Sequence, residues 1–308
     1  MQEFLNEYPP DSFYSNHVQY HLVKYYKEKE NYKQAAREAQ KLVDLYPNCT
    51  YAADMKYQIG DFLAKAGNKN KAKKHYEKIV FESKPNTEPA AIGQFLLAEM
   101  LDEEGSLEEA RAAYTAVKTK HGDVKNWAIL SDYALAMTFF KEWTQYGDTA
   151  SYRIAMEMLD EFVAKYPTDK RTPMALLNKA HMLKKAQKWE EAVFVFDNII
   201  DFDLSNISNV APGHLETEQE AIRDLIVKSK KQKADIYGDK LDREVEAKKI
   251  YDQILNEYPD NYEVLFRRAL LLIKMEMNDE ARVDFKKLTE KGSPFVDVAE
   301  EYLSKLNN

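Results

Sequence analysis

Residues 57–85, YQIGDFLAKAGNKNKAKKHYEKIVFESKP, read as two short amphipathic helices joined by a turn. Ile59, Phe62 and Leu63 fall on one face of a 3.6-residue period, with Tyr57 and Ala64 close to it. Ala66-Gly67-Asn68 breaks the pattern, because Gly and Asn tolerate the left-handed backbone that ends a helix. Ala72, Tyr76, Ile79 and Val80 then set a second stripe at i, i+4, i+7 and i+8. Pro85 cannot continue a helix, so the second one stops at or just before it. Two helices joined by so short a turn lie antiparallel, and each alone would leave an apolar face bare.

Most of the chain repeats this unit. A small residue marks each second helix: Ala35, Ala72, Ala110, Ala155, Ala192, Ala247 and Ala281, at spacings of 37, 38, 45, 37, 55 and 34 residues. Four residues on comes Ala39, Tyr76, Tyr114, Leu159, Phe196, Tyr251 or Phe285, and three further on another apolar residue. Twelve residues upstream sits Val23, Gly60, Ala98, Ala180 or Ala269. Small residues on both helices let the backbones approach, and the large ones fill the next layer.

Composition agrees with an all-α chain. Apolar residues make up 44% and charged residues 31% of 308, Gly and Pro are few, and long runs of Val, Ile and Thr are absent. The net charge of −8 argues against a general nucleic-acid binder. Cys49 stands alone, which excludes an intramolecular disulfide and a cysteine-based metal cluster. No stretch approaches the roughly 18 apolar residues that span a bilayer, and MQEFLNEYPP has no signal-peptide core.

These repeats resemble the tetratricopeptide repeat family, whose period is about 34 residues. The resemblance rests on Ile59-Gly60, Leu97-Ala98 and Leu135-Ala136 in first helices, on the Ala-x3-aromatic pairs in second helices, and on Tyr32, Leu107, Tyr152 and Trp189 at the turns. It implies a right-handed α-solenoid of about seven helix-turn-helix repeats with a C-terminal capping helix. Residues 1–15 are expected to be the tail of a truncated upstream repeat, since Phe4 to Pro9 is similar to Leu255 to Pro259, Leu42 to Pro47 and Phe162 to Pro167. Repeats one to five then cover 16–204, a joint loop 205–216, repeats six and seven 217–293, and the cap 294–308. Extra residues at Glu142 to Tyr152 are expected to lengthen the hairpin of unit four. The Asn-, Ser- and Pro-containing stretch Leu204 to Glu216 is expected to be the most mobile point.

The hydrophobic-x-x-Tyr-Pro helix ends resemble those of bacterial envelope proteins of this family, the outer-membrane assembly lipoproteins and periplasmic cell-division coordinators. That implies a non-catalytic protein-binding scaffold at the periplasm or the periplasmic face of the outer membrane, with a signal or lipid anchor upstream of Met1; a cytoplasmic adaptor is the alternative. The family's groove is lined by first helices, which implies a row of Tyr20, Tyr57, Phe95, Tyr133, Leu177, Lys231 and Phe266. Neighbouring positions are Asp54, Asp61, Glu99, Asp102, Glu103, His181, Lys184 and Lys185. The expected partner is a protein or peptide of split charge, with neither nucleic acid nor cofactor.

Other constellations are weak. His17 and His21 share a helical face but lack a third metal ligand. The acidic clusters Asp102-Glu103-Glu104 and Glu108-Glu109 lack a calcium-loop pattern. The lysine runs at 69–78 and 228–233 read as solvated faces. A toroidal all-α enzyme acting on carbohydrate is the other functional class weighed, with only Glu216 and Glu218 at a loop edge to favour it. The register itself is testable: Ala72→Glu buries an unpaired charge at a helix contact and should cost about 3 kcal/mol or more, read as a lowered urea midpoint.

Overall fold

The structure is a computed structural model that describes residues 14–290 and 292–306. The expected upstream-repeat tail lies outside the described residues except at its last two, where Ser15 already opens the first helix. Fifteen α-helices and one 3-10 turn occur among the described residues, and the helices follow one another as antiparallel pairs. This is an all-α chain of about seven helix-pair repeats plus a terminal helix.

The chain divides into two compact units, Met1–Ala155 and Met156–Asn308. The first holds the pairs α1 (Ser15–Glu28) and α2 (Tyr32–Leu45), α3 (Ala52–Lys65) and α4 (Lys69–Glu82), and α5 (Glu88–Glu103) and α6 (Leu107–Lys120). It also holds α7 (Lys125–Tyr146), and the division falls within α8 (Thr149–Lys165). The second holds α9 (Thr172–Lys185), α10 (Trp189–Ile200), α11 (Leu215–Lys240), α12 (Glu244–Glu257), α13 (Tyr262–Lys274), α14 (Asn278–Leu288) and α15 (Val296–Leu306). In the first unit each helix from α1 to α7 packs on the next, and α3 also meets α5, as α5 meets α7. First helices therefore adjoin first helices within the unit.

The small-residue register holds throughout. Ala35, Ala72, Ala110, Ala155, Ala192, Ala247 and Ala281 are all completely buried, as are Ala98, Ala180 and Ala269. At Gly60 the fit is tightest, because a Cβ there would lie 2.3 Å from Cζ of Tyr76. The terminal helix covers the last apolar face, with Tyr302 stacked on Phe285 at 4.9 Å and Ala299 fully buried.

Two regions expected to depart from the regular repeat take specific forms. The extra residues of unit four go mainly into α7, which runs 22 residues and stops at left-handed Gly147. Glu142 is thus helical, and it pairs with Arg111 of α6 and accepts from Ser151 Oγ at 2.6 Å. A helical extension satisfies its own backbone groups, which a loop would leave to water. The stretch 204–216 connects α10 to α11 and is tied back to residues 168–170. Ser208 forms a parallel bridge with Asp169, donating its N–H to Thr168 O at 2.8 Å and accepting from Lys170 N at 3.3 Å.

Five hairpins close with the same pair of hydrogen bonds. Glu30, Gly67, Gly105, Gln187 and Glu276 turn left-handed at φ 54°, 77°, 82°, 58° and 62°. Each donates its N–H to the carbonyl three residues back, and the next residue donates to the carbonyl five back, at 2.8 to 3.0 Å. This double closure satisfies the last carbonyls of the first helix. Only Gly67 and Gly105 hold the position without a Cβ penalty. Glu30→Gly, Gln187→Gly and Glu276→Gly should therefore each stabilise the chain by up to about 1 kcal/mol, whereas Gly67→Ala should do the reverse. Urea midpoints at unchanged slope measure both.

Candidate functional site

Helices α3 and α5 adjoin, and each presents acidic residues on one stripe: Asp54 and Asp61 beside Tyr57, then Glu99, Asp102 and Glu103. The stripe follows from i, i+3, i+4 spacing. Asp54 is exposed and accepts from Gln58 Nε2 at 2.6 Å. Asp61 pairs with Lys65 at 2.9 Å, and Asp102 with Lys141 of α7 at 2.9 Å. Lys141 also donates to the Asp102 carbonyl at 2.6 Å, which ties α7 to α5. Glu99 and Glu103 make no ion pair among the described residues.

That surplus of negative charge bears on the ionisation of Glu99. Glu99 reaches solvent, yet crowding by the surrounding protein partly desolvates it, and Glu103, Asp102 and Asp61 repel its charge. Its carboxyl is held above the usual range for those reasons, in that order. Behind the carboxylates lie the buried phenols of Tyr76 and Tyr114, raised chiefly by burial and then by the same acids. Tyr57 is half-buried, and burial followed by Glu88 raises its hydroxyl as well. The face offers a phenol beside unneutralised carboxylates, a chemistry that receives lysine or arginine side chains.

Other members of the expected row differ in environment. Tyr20 lies flat against Tyr51, rings 4.0 Å apart. Phe95 is buried between Tyr114 and Trp127, at 5.4 and 5.2 Å, and so contributes packing here rather than surface. Tyr133 is half-buried on α7. Phe266, in the second unit, stacks on Phe295 at 4.8 Å and meets the ring of Tyr302 edge-on. Leu177 packs against the core of that unit.

The second unit carries its own polar group on α9 and α11. Lys184 Nζ donates to Gln232 Oε1 at 2.6 Å, a partner that single-residue pattern reading does not reveal. Burial and then Lys184 lower His181, against a hydrogen bond from the imidazole to Gln232, so the imidazole favours its neutral form. Lys184 is itself lowered, chiefly by burial, with Asp235 opposing and Lys231 adding to the shift. Lys231 pairs with Glu263 and lies 4.0 Å from Asp235, so this face is mixed rather than simply basic.

His17 turns its ring edge to Tyr51 and His21 to Tyr20. Among the described residues no group of three or more His, Cys, Asp or Glu is arranged to hold a metal ion, and no helix is long and apolar enough to cross a membrane.

With this geometry in hand, comparison with known proteins is informative. Residues 57–123 and residues 232–261 each match a tetratricopeptide repeat family. No curated protein matches the chain in sequence. The apo form of RapI superimposes on 95% of this chain and 82% of its own at 12% identity, with a TM-score of 0.55. The human IFIT1 dimer with PPP-AAAA covers 91% of this chain and 61% of its own at 13% identity, TM-score 0.52. A tetratricopeptide repeat protein from Parabacteroides merdae aligns over 95% of this chain and 99% of its own at 15% identity, TM-score 0.44. At such identities the likeness to RapI and IFIT1 is one of fold.

The raised Glu99 carboxyl has a signed consequence for stability. A folded-state value above the unfolded one contributes stability that is present below the unfolded pKa and lost as pH rises through the folded pKa. Glu99→Gln removes that loss. It should therefore raise the melting temperature at pH 7, and the gain should vanish as pH falls below the ordinary carboxylate range.

Proposed function

Starting from tetratricopeptide repeats at 57–123 and 232–261, in a chain built throughout from helix pairs of that kind, we propose a non-catalytic scaffold that binds a basic segment of a protein partner. The segment lies on the α3–α5 face of the first unit. Proteins of this repeat type usually bind proteins or peptides and are usually without catalytic chemistry. The observation that carries the reading is the acidic surplus around Glu99: it makes no ion pair among the described residues and is crowded by Glu103, Asp102 and Asp61, while Lys65, already paired with Asp61, attracts Glu103 without an ion pair. A lysine or arginine of the partner would relieve that repulsion, and the half-buried Tyr57 ring would cover its aliphatic stem.

Attraction of this sort speeds encounter and selects partners more than it adds affinity, so binding should weaken with salt. The second unit, with His181, Lys184 and Lys231 among acids, takes neutral or mixed sequences by the same reasoning. Placement in a bacterial cell envelope is part of the proposal and rests on the recurring ends Tyr46-Pro47, Tyr166-Pro167 and Tyr258-Pro259. Cell fractionation of the native protein tests it, and recovery in the cytoplasmic fraction alone would reject it.

The binding claim is read by fluorescence anisotropy with a labelled Lys/Arg-rich peptide containing one aromatic residue. Tyr57→Ala with Glu99→Gln and Glu103→Gln should weaken binding about tenfold, with unchanged helical circular dichroism. Adding Tyr133→Ala to Tyr57→Ala tests how far the aromatic row extends. Undiminished binding in the triple variant would place the site elsewhere.

A further inference from the structure

The opposite side of the first unit carries a feature of contrary sign. First helices α3 and α5 adjoin, but between the second helices α2 and α4 lies a cleft of about 860 Å³. Its walls hold Lys33 and Arg37 of α2 and Lys71, Lys74 and Lys78 of α4. No carboxylate lines it. Lys33, Arg37, Lys71 and Lys74 make no ion pair among the described residues, and Lys78 reaches only Glu82, at 3.7 Å. These spacings follow one face of each helix, so the five cations converge rather than scatter.

The floor is aliphatic. Helix α3 packs against both α2 and α4, and its Ile59 and Leu63, with Ala36 of α2, line the bottom of the cleft. The His75 ring bonds to the Lys56 carbonyl at 2.7 Å and fixes α4 on α3 there, so the cleft is preformed. One turn beyond Lys78 on the same face, Phe81 stands 90% exposed. Cationic walls over an apolar floor, with an aromatic at one end, form a surface complementary to an amphipathic acidic segment.

We propose that this cleft is a second docking site, separate from the α3–α5 face, for an acidic segment of a partner protein whose carboxylates alternate with aliphatic side chains. A nucleic acid fits less well. Its phosphates would gain nothing from the Ile59 and Leu63 floor, and a molecule of net charge −8 repels an extended polyanion at long range. A short segment seated in the cleft lies within about one Debye length, roughly 8 Å in physiological salt, of the five cations. It therefore feels the local sign. The size matches sites that hold a ligand by several contacts at once, about 300–1,000 Å³.

The probe is a fluorescein-labelled helical dodecapeptide with Leu on one face and Glu on the other, followed by anisotropy with the full chain. Binding should fall about tenfold in Arg37→Glu/Lys74→Glu and when every Glu of the peptide is replaced by Gln. It should change less than about twofold in Tyr57→Ala/Glu99→Gln/Glu103→Gln, which separates this site from the basic-segment face. If the charge-reversed protein melts early, Arg37→Gln/Lys74→Gln gives the same reading with less perturbation. Poly-U at equal charge should not displace the peptide. Equal binding by the cleft variants, equal binding of the Gln peptide, no binding to the unaltered chain, or displacement by poly-U would each overturn the proposal, the last in favour of a nucleic-acid site.

Discussion

The close crossing of two helix backbones at a small residue is the constraint on which this molecule rests. Each second helix brings an alanine with no exposed surface to that crossing, and in units two, three, five and seven the first helix answers with Gly60, Ala98, Ala180 or Ala269. At Gly60 the partner is the Tyr76 ring itself, with no room for a methyl group between them. Everything larger must sit one layer away, which is why the bulky positions fall four and seven residues further on. Such interiors are close-packed, so a one-carbon error at a crossing is not absorbed locally.

Packing of this kind uses one face of each helix and leaves the others free to vary. In the first unit the free faces have diverged in charge. The adjoining first helices carry a carboxylate surplus around Glu99, while the second helices frame lysines and an arginine over an aliphatic floor. The same repeat thus presents two surfaces of contrary sign without any change in its core. Isolated surface charges contribute little to stability, so their arrangement is open to functional selection.

The crossing register was legible in the sequence because it depends on residue size at a fixed period, and every alanine it named is buried. The turns were legible where Gly67 marks them, and much less so at Glu30, Gln187 and Glu276, where the tertiary pairing imposes a left-handed backbone on residues that do not advertise it. The end of α7 was marked by Gly147, since Glu142 to Tyr146 carries no breaker before it, but Trp, Thr and Tyr are indifferent helix-formers and left the length of the helix less plain. The Asp169–Ser208 bridge was invisible for a different reason: backbone pairing leaves no side-chain signature, and Asn, Ser and Pro mark tethered and loose loops alike. On the binding face, a shared register position did not guarantee a shared environment. Trp127, on the first helix of the next repeat, covers Phe95, and Phe295, just before the terminal helix, covers Phe266; neither position belongs to the register used to align the row.

That bridge between residues 169 and 208 has a mechanical side. It joins the entry of α9 to the exit of α10, so the whole hairpin is enclosed in a loop whose ends are stitched together. Gln219 of α11 adds a stitch to the Leu204 carbonyl at 2.9 Å, and Lys170 adds one to Glu218. A pull on the chain from both ends would load these stitches in series before it could peel α9 from α10. Elsewhere in the second unit, a hairpin such as α13–α14 can be unzipped from its neighbours one helix at a time. The α9–α10 pair instead resists as a loop, and it is the place where tension along this chain would be shared rather than passed on.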